Sequence, residues 1–221
     1  FSHEPRLALM TDNGAPDAPT GATPPRDVEP TPDERERVAK RDLRTRLRAA
    51  RRERRDATSP EQRHADGLAL LRHLEPLLAR ATCVTSFEPL ASESNLEPIN
   101  AAVRARGRLL VPITLADLDL SWRDAATGDD LGTGGLAAAD LVIAPALAIG
   151  PNGERLGQGG GCYDRALPRR RPGTPVVAVV FPDELLTGPD APRIPVEAHD
   201  ERVDAALTVD GLVRFGDALG Y

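Results

Sequence analysis

Asp140-Leu141-Val142-Ile143-Ala144-Pro145 and, further on, Gly157-Gln158-Gly159-Gly160-Gly161-Cys162-Tyr163-Asp164-Arg165 carry the reading of the fold. The first is an unbroken apolar run of strand length. A strand buried on both faces reads this way, and both-face burial is the habit of parallel sheets. The second stretch is almost free of Cβ atoms. Such a backbone can take positive φ and turn several N–H groups toward one anion. Arg155 and Arg165 flank the glycines, and Asp164 falls where a helix Tyr163–Arg169 is predicted to begin. Strand, glycine loop and helix in this order suit a phosphate carrying a bound metal.

Working outward, apolar runs predict strands at Thr82–Phe87, Arg108–Pro112 and Val176–Phe181, with Leu120–Trp122 and Val203–Val209 as further candidates. Helical spacing predicts Glu34–Arg55, with Val38, Leu43, Leu47 and Ala50 as its apolar stripe. It also predicts a helix running to about Ala79 and another over Asn95–Arg106 that stops at Gly107. Ser59-Pro60-Glu61-Gln62 reads as a capping box with proline in the first turn. Alternating strands and helices imply an α/β protein: a three-layer, open, mostly parallel sheet with helices on both faces, Rossmann-like, in a single domain. Its ligands are expected beyond the carboxyl ends of the strands. That domain is read as residues 33–221. Residues 11–32 are rich in Pro, Gly, Ala, Thr and Asp, and 1–32 is expected to be a disordered extension. Phe1–Met10 lacks the apolar core and cleavage site of a signal peptide.

Composition narrows the function. The net charge of −6 argues against non-specific nucleic-acid binding. No apolar run reaches the length of a membrane span. Cys83 and Cys162 lie far apart and form no CxxC, which speaks against a disulfide scaffold or a zinc site and for a reducing, cytoplasmic setting. With 40% hydrophobic but only 3% aromatic residues, the core must be built from Ala, Val, Leu and Ile.

The glycine loop is not a Walker A loop, because no lysine lies near it. A dinucleotide fingerprint would need a third glycine where Cys162 stands, and Ala146–Leu156 separates the loop from its strand; Asp183, after the next strand, is the feature in its favour. A plain glycine-rich surface turn is the remaining alternative. The chain has 27 arginines and one lysine, Lys40. Lys40, Arg44 and Arg48 share one helical face at four-residue spacing. Residues 40–55 hold nine basic and two acidic side chains on an otherwise acidic chain. Such a helix can bind nucleic acid, deliver cations to a nucleotide triphosphate, or be a solvated face, the last above all for Arg51–Arg55.

Arg155-Leu156-Gly157-x-Gly159-x-Gly161-x-Tyr163-Asp164, the opening Lys40-x-x-Leu43-Arg44, Pro89-Leu90 with Glu93, Pro145-Ala146-Leu147, and Pro195-Val196-Glu197-Ala198-His199-Asp200 with Asp204 together resemble the 5-formyltetrahydrofolate cyclo-ligases. The resemblance runs from about Arg37 to Val209. It implies ATP-dependent closure of 5-formyltetrahydrofolate to 5,10-methenyltetrahydrofolate. In that reaction the formyl oxygen is phosphorylated, N10 attacks the iminophosphate carbon, and phosphate leaves. It also implies Lys40, Arg155 and Tyr163 as catalytic residues. The ATP site would be formed by Lys40, Arg41, Asp42, Leu43, Arg44, Arg155, Leu156, Gly157, Gln158, Gly159, Gly160, Gly161, Cys162 and Tyr163. The folate would be met by Arg44, Glu88, Glu93, Gln158, Gly159, Gly160, Gly161 and Cys162, with Glu93 hydrogen-bonding the pterin. Asp164 and Asp200 are the implied Mg2+ ligands, hard oxygens of the kind that ion takes. ATP and the folate are the implied partners, without nucleic acid or membrane, on a monomer. Each residue has a plainer alternative. Asp164 can be a helix-start acid favoured by the dipole, His199-Asp200 a surface turn, and Glu88 and Glu93 solvated loop acids. Trp122 can pack in the core or stack on a ligand. Cys162 stands where the family commonly has Tyr, and is either a small filler or an activated thiol. Glu184 stands where a Gln is frequent, and the sequence offers no reading of it.

Overall fold

The structure, a computed structural model, describes residues 31–215. Helix α1 (Pro32–Ala57) starts on a reciprocal capping box: the Glu34 N–H donates to Thr31 Oγ1 at 3.3 Å, and the Thr31 N–H donates to the Glu34 carboxylate at 2.8 Å. The box predicted at Ser59 forms only in half. Ser59 Oγ accepts from the Gln62 N–H, but the Gln62 side chain turns to Asp66 instead. Helix α2 (Pro60–Leu78) buries Leu70, Leu74 and Leu78, one residue per turn. Helix α3 (Glu97–Arg106) buries Ile99 and Val103. Gly107 ends α3, yet not by left-handed geometry: its φ is −167°. A Cβ there would strike the Thr82 carbonyl, which accepts the Arg108 N–H at 2.8 Å.

The described residues also form nine strands: β1 (Cys83–Thr85), β2 (Arg108–Thr114), β3 (Leu120–Asp124), β4 (Leu141–Pro145), β5 (Ala148–Ile149), β6 (Arg155–Leu156), β7 (Val176–Val179), β8 (Ala205–Thr208) and β9 (Gly211–Arg214). Seven form one sheet in the order β3-β2-β1-β4-β7-β8-β9. The five inner strands are parallel, and β3 and β9 close the edges antiparallel. β5 and β6 pair as a small separate hairpin inside the stretch expected to be a plain connection. Side chains alternate along β4 with period two. Leu141 and Ile143 join α2 and α3 on one face, whereas Val142 and Ala144 join Trp122, Tyr163 and Leu167 on the other. Full burial of leucines such as Leu70 and Leu74 contributes about 1.5–3 kcal/mol each. Trp122 is wholly buried in this core, which decides between its two readings.

Chain order sets where a ligand can sit. β1 leads through α3 to β2 on one side, and β4 then returns to the other side of β1. The sheet therefore has its topological switch between β1 and β4, and a crevice opens beyond their carboxyl ends.

Asp140 ties the other end of these strands. Its carboxylate accepts from the Thr82 N–H, the Thr82 hydroxyl and the Cys83 N–H, and from Arg171 at 2.6 Å. Burial pushes its pKa up, but these donors outweigh burial and bring it down to about 2. A depressed carboxylate stabilises the fold above its unfolded pKa, near 4, and loses that contribution as the pH falls through the folded value. Asp140→Asn is therefore expected to cost about 1 kcal/mol at pH 7, allowing for solvent screening. Urea melts across pH 7 to 2 should show the gap between wild type and variant closing below about pH 4. A gap that stays constant with pH would contradict this role.

Candidate active site

A cleft of about 430 Å³ lies beyond β1, β2 and β4, walled on one side by the glycine loop and on another by α1. The loop joins β6 to the short helix α4 (Cys162–Ala166). Gly159 and Gly161 sit at φ +106° and +66°, where a side chain would be strained. Three arginines hold the loop by its carbonyls. Arg44 Nε donates to Gly157 O at 2.9 Å, Arg48 Nη2 to Gln158 O at 2.5 Å, and Arg165 Nη2 to Gly160 O at 2.7 Å. A trans peptide sets its N–H opposite its carbonyl. The amides of Gln158, Gly159 and Gly161 therefore face away from these arginines, and all three residues line the cleft.

Two cations reach the cleft already paired. Lys40, with its side chain 8% exposed, donates to Asp200 Oδ2 at 2.7 Å and to Glu197 Oε1 at 3.0 Å. Burial works against its charge, but both carboxylates outweigh it and hold the ammonium above its ordinary pKa. Burial likewise raises Asp200, yet the Glu197 N–H and Lys40 leave it below the usual carboxylate value. Arg155 donates to Asp164 Oδ1 at 2.6 Å and lies 5.7 Å from the centroid of the Tyr163 ring. Asp164 Oδ1 also accepts the Glu201 N–H, so the turn carrying Asp200 is tied to Asp164. Arg44 lies in the field of Asp200, Glu197 and Asp164 together. Burial and neighbouring Arg48 lower its pKa, though a guanidinium stays charged at any working pH.

Asp164 and Asp200 suit a magnesium ion by donor type. Among the described residues, the second oxygen of each takes no hydrogen bond, and no cluster of three or more metal-ligating side chains forms. Two hard oxygens with the rest of the shell left open is how Mg2+ is held when phosphates and waters complete it.

The cleft's other wall is apolar, with Phe87, Leu90, Pro112 and Leu120. Glu88 is exposed at its rim, while Glu93 is 8% exposed and accepts the Leu90 N–H at 2.9 Å. Tyr163 reaches the cleft with its ring edge-on to Trp122, 6.3 Å between centroids. Its hydroxyl is buried without a hydrogen-bond partner, and burial raises its pKa well beyond that of a free tyrosine. Cys162 lines the cleft as a free, half-buried thiol, and no histidine approaches it among the described contacts.

Three of the expected nucleotide residues are not brought to the cleft. Arg41 and Asp42 face solvent and pair with each other at 3.3 Å, and Leu43 packs against Leu147 and Leu156. A helix turns 100° per residue, so the face that presents Lys40 and Arg44 turns 41 and 42 away. Leu156 is likewise buried in that cluster, although it borders the cleft. Val38 is exposed; the face of α1 that meets the body is instead Lys40, Leu43, Leu47, Arg51 and Arg54. Arg51 is not solvated but 3% exposed, bonded to Glu184. Glu197, Glu184 and Arg51 were missed. The signal for Arg51 was present, since it continues the Lys40–Arg44–Arg48 face by one turn. Asp183 is not at the cleft but pairs with Arg54 at 2.7 Å, which removes the support for a dinucleotide fingerprint. The inward cations of α1 are engaged by the body, which weakens the case for a nucleic-acid helix.

A profile of the 5-formyltetrahydrofolate cyclo-ligase family matches residues 36–209. The chain is 29% identical over 182 residues to a 5-formyltetrahydrofolate cyclo-ligase of Mycolicibacterium smegmatis, covering 73% of this chain and 91% of the relative. Among solved structures it is similar to a 5,10-methenyltetrahydrofolate synthetase from Mycoplasma pneumoniae, with TM-score 0.62 and 17% identity over 77% of this chain and 98% of that one. It is also similar to the Aquifex aeolicus 5,10-methenyltetrahydrofolate synthetase, with TM-score 0.61 and 24% identity over 79% and 94%. The likeness to both structures is one of fold.

Proposed function

The chain belongs to the 5-formyltetrahydrofolate cyclo-ligase family, and from that premise we propose how its cleft carries out the family's reaction. The reaction is the ATP-dependent cyclisation of 5-formyltetrahydrofolate to 5,10-methenyltetrahydrofolate, with release of ADP and phosphate. The observation that carries the assignment of residues is the double pairing of Lys40 with Asp200 and Arg155 with Asp164 around the open glycine loop.

On this reading the triphosphate lies on the loop amides. Lys40 and Arg155 turn from their carboxylates to phosphate oxygens, and Asp200 and Asp164 are freed for magnesium. The exchange keeps every charge matched, which a bare nucleotide or a bare cation does not. Asp164 and Asp200 would hold magnesium, which would supply neutralisation of the phosphate charge. The formyl oxygen takes the terminal phosphoryl group as ADP departs. N10 then bonds to the formyl carbon, the C–O bond breaks with loss of phosphate, and the N10 proton is released. Phosphoryl transfer needs mainly positioning and charge neutralisation, and this cleft is built of cations and backbone amides. The buried, unpartnered Tyr163 hydroxyl supports a hydrogen bond to a bound ligand, not proton transfer, because burial keeps its proton on. Phe87, Leu90, Pro112 and Leu120 suit the folate's flat rings and shield the phosphorylated intermediate from water. Glu93, and at the rim Glu88, support recognition of the pterin amino group and ring N–H.

No helix among the described residues is long and apolar enough to cross a membrane. The free thiols Cys83 and Cys162 support a reducing, cytoplasmic setting, and the protein is read as a monomer acting on its two small-molecule substrates. With Mg-ATP and 5-formyltetrahydrofolate, purified protein is expected to generate the near-ultraviolet absorbance of the methenyl product. Absence of that absorbance beside an active control enzyme would refute the assignment. The same assay without nucleotide should stay flat.

A further inference from the structure

We infer that Arg51 is a positioning residue for the folate, acting through Glu93; this rests on the reading of Glu93 as a pterin ligand. Arg51 is the charged residue that ties three ligand-facing loops of adjacent parallel strands to one point. Its Nε and Nη2 both reach the Glu184 carboxylate at 2.7 Å, in the turn after β7. Its Nη2 also donates to Ala146 O at 2.5 Å, one residue after β4 ends. Its Nη1 stands 3.6 Å from Glu93 Oε1, in the loop after β1.

The three partners are not equivalent. Glu184 is 1% exposed and is itself fixed, since its other role is to accept the Phe181 N–H at 2.9 Å. It answers the charge of Arg51 in a planar, two-point pair. Glu93 is left at 3.6 Å, beyond hydrogen-bond reach of a guanidinium whose Nη1 is buried and takes no hydrogen-bond partner. Glu93 is thus drawn toward Arg51 without being consumed by it, and its charge remains available to the cleft it lines. Two changes would undo this. Without Arg51, Glu93 loses the field that orients it, and Glu184 is left buried with Arg54 Nη1, at 3.8 Å, as its remaining cation. Without the Glu184 charge, Arg51 has Glu93 as its nearest counterion and pulls it out of the cleft.

The effect should fall on the folate and spare the nucleotide. Lys40, Arg155 and the glycine loop make no hydrogen bond to Arg51 or Glu184. The experiment measures steady-state KM for 5-formyltetrahydrofolate and, separately, for ATP, on Glu93→Gln, Arg51→Met and Glu184→Gln. Each protein is first checked for a cooperative thermal melt. Glu93→Gln and Arg51→Met are expected to raise the folate KM about tenfold or more, the scale of one charge-assisted hydrogen bond. Glu184→Gln should raise it severalfold, and all three should leave the ATP KM within about twofold. The double variant Arg51→Met/Glu93→Gln should be no worse than the worse single one, because the second change removes what the first has already misplaced. An unmoved folate KM in Glu93→Gln would overturn the pterin role itself. A raised folate KM in Glu93→Gln with unmoved values in the Arg51 and Glu184 variants would overturn the positioning role alone. So would equal rises in both KM values, which mark a merely structural part. If Arg51→Met fails to fold, Glu184→Gln decides by the same criteria.

Discussion

Lys40→Ala is expected to lower kcat/KM for ATP by about 100- to 1,000-fold, the range seen when one preorganised charge is removed from a phosphoryl or oxyanion site. The argument is geometric. Lys40 places a compact ammonium, its pKa held up by two carboxylates, on the α1 wall of the cleft that the loop also lines. An ammonium approaches phosphate as a point charge, so Lys40→Arg should recover only part of the loss. The variant will not be structurally silent. Lys40 is almost fully covered, not exposed as an outward helix residue would be, and its loss leaves Asp200 and Glu197 facing each other. A Tm lower by a few degrees is expected, about 2–4 °C per kcal/mol for a chain of this size. Arg41→Ala, one residue along and pointing to solvent, is the control that should change neither quantity. Steady-state rates at saturating folate with varied ATP decide it. Wild-type kinetics in Lys40→Ala would remove the residue from the mechanism.

The second large effect concerns Arg155, whose side chain is 3% exposed and paired with Asp164. Arg155→Met should cost about 3–5 kcal/mol in urea unfolding, because Asp164 is left as a poorly solvated, uncompensated charge. Turnover should fall below detection. The two losses can be separated. Arg155→Met/Asp164→Leu removes both charges and should regain most of the stability while regaining no activity. If the double variant recovers turnover, neither residue handles phosphate or metal. If it stays as unstable as the single variant, the pair is not what holds this corner.

Much of the architecture was legible because its sheet is buried on both faces. Runs such as Leu141–Ala144 and Val176–Val180 leave no reading but an inner strand, and they are where β4 and β7 lie. The glycine loop was legible because few other arrangements use so bare a backbone between arginines. What failed shares a cause. Periodicity assigns burial by hydrophobicity, and it put Val38 inside and Arg51 outside. The inward face of α1 is instead cationic, since its counterions Glu184, Glu197 and Asp200 lie 133 to 160 residues away. No local window holds that information. The same blindness left Glu184 unread, and a run of family motif residues carried Arg41, Asp42 and Leu43 into the nucleotide site, although helical rotation turns Arg41 and Asp42 to solvent and Leu43 is buried in an apolar cluster. The two-residue strands β5 and β6 were too short to show a period at all.

The wide sequence gap between α1 and its acidic partners has a consequence for biogenesis. On the ribosome, α1 emerges with its inward cations unanswered and must wait for Glu184, Glu197 and Asp200. Closing so long a loop is entropically slow, and contacts of this reach form late. Competence for catalysis should therefore arrive abruptly once residues 184–200 have emerged, and nascent chains stalled before Glu197 should be both inactive and sticky toward polyanions.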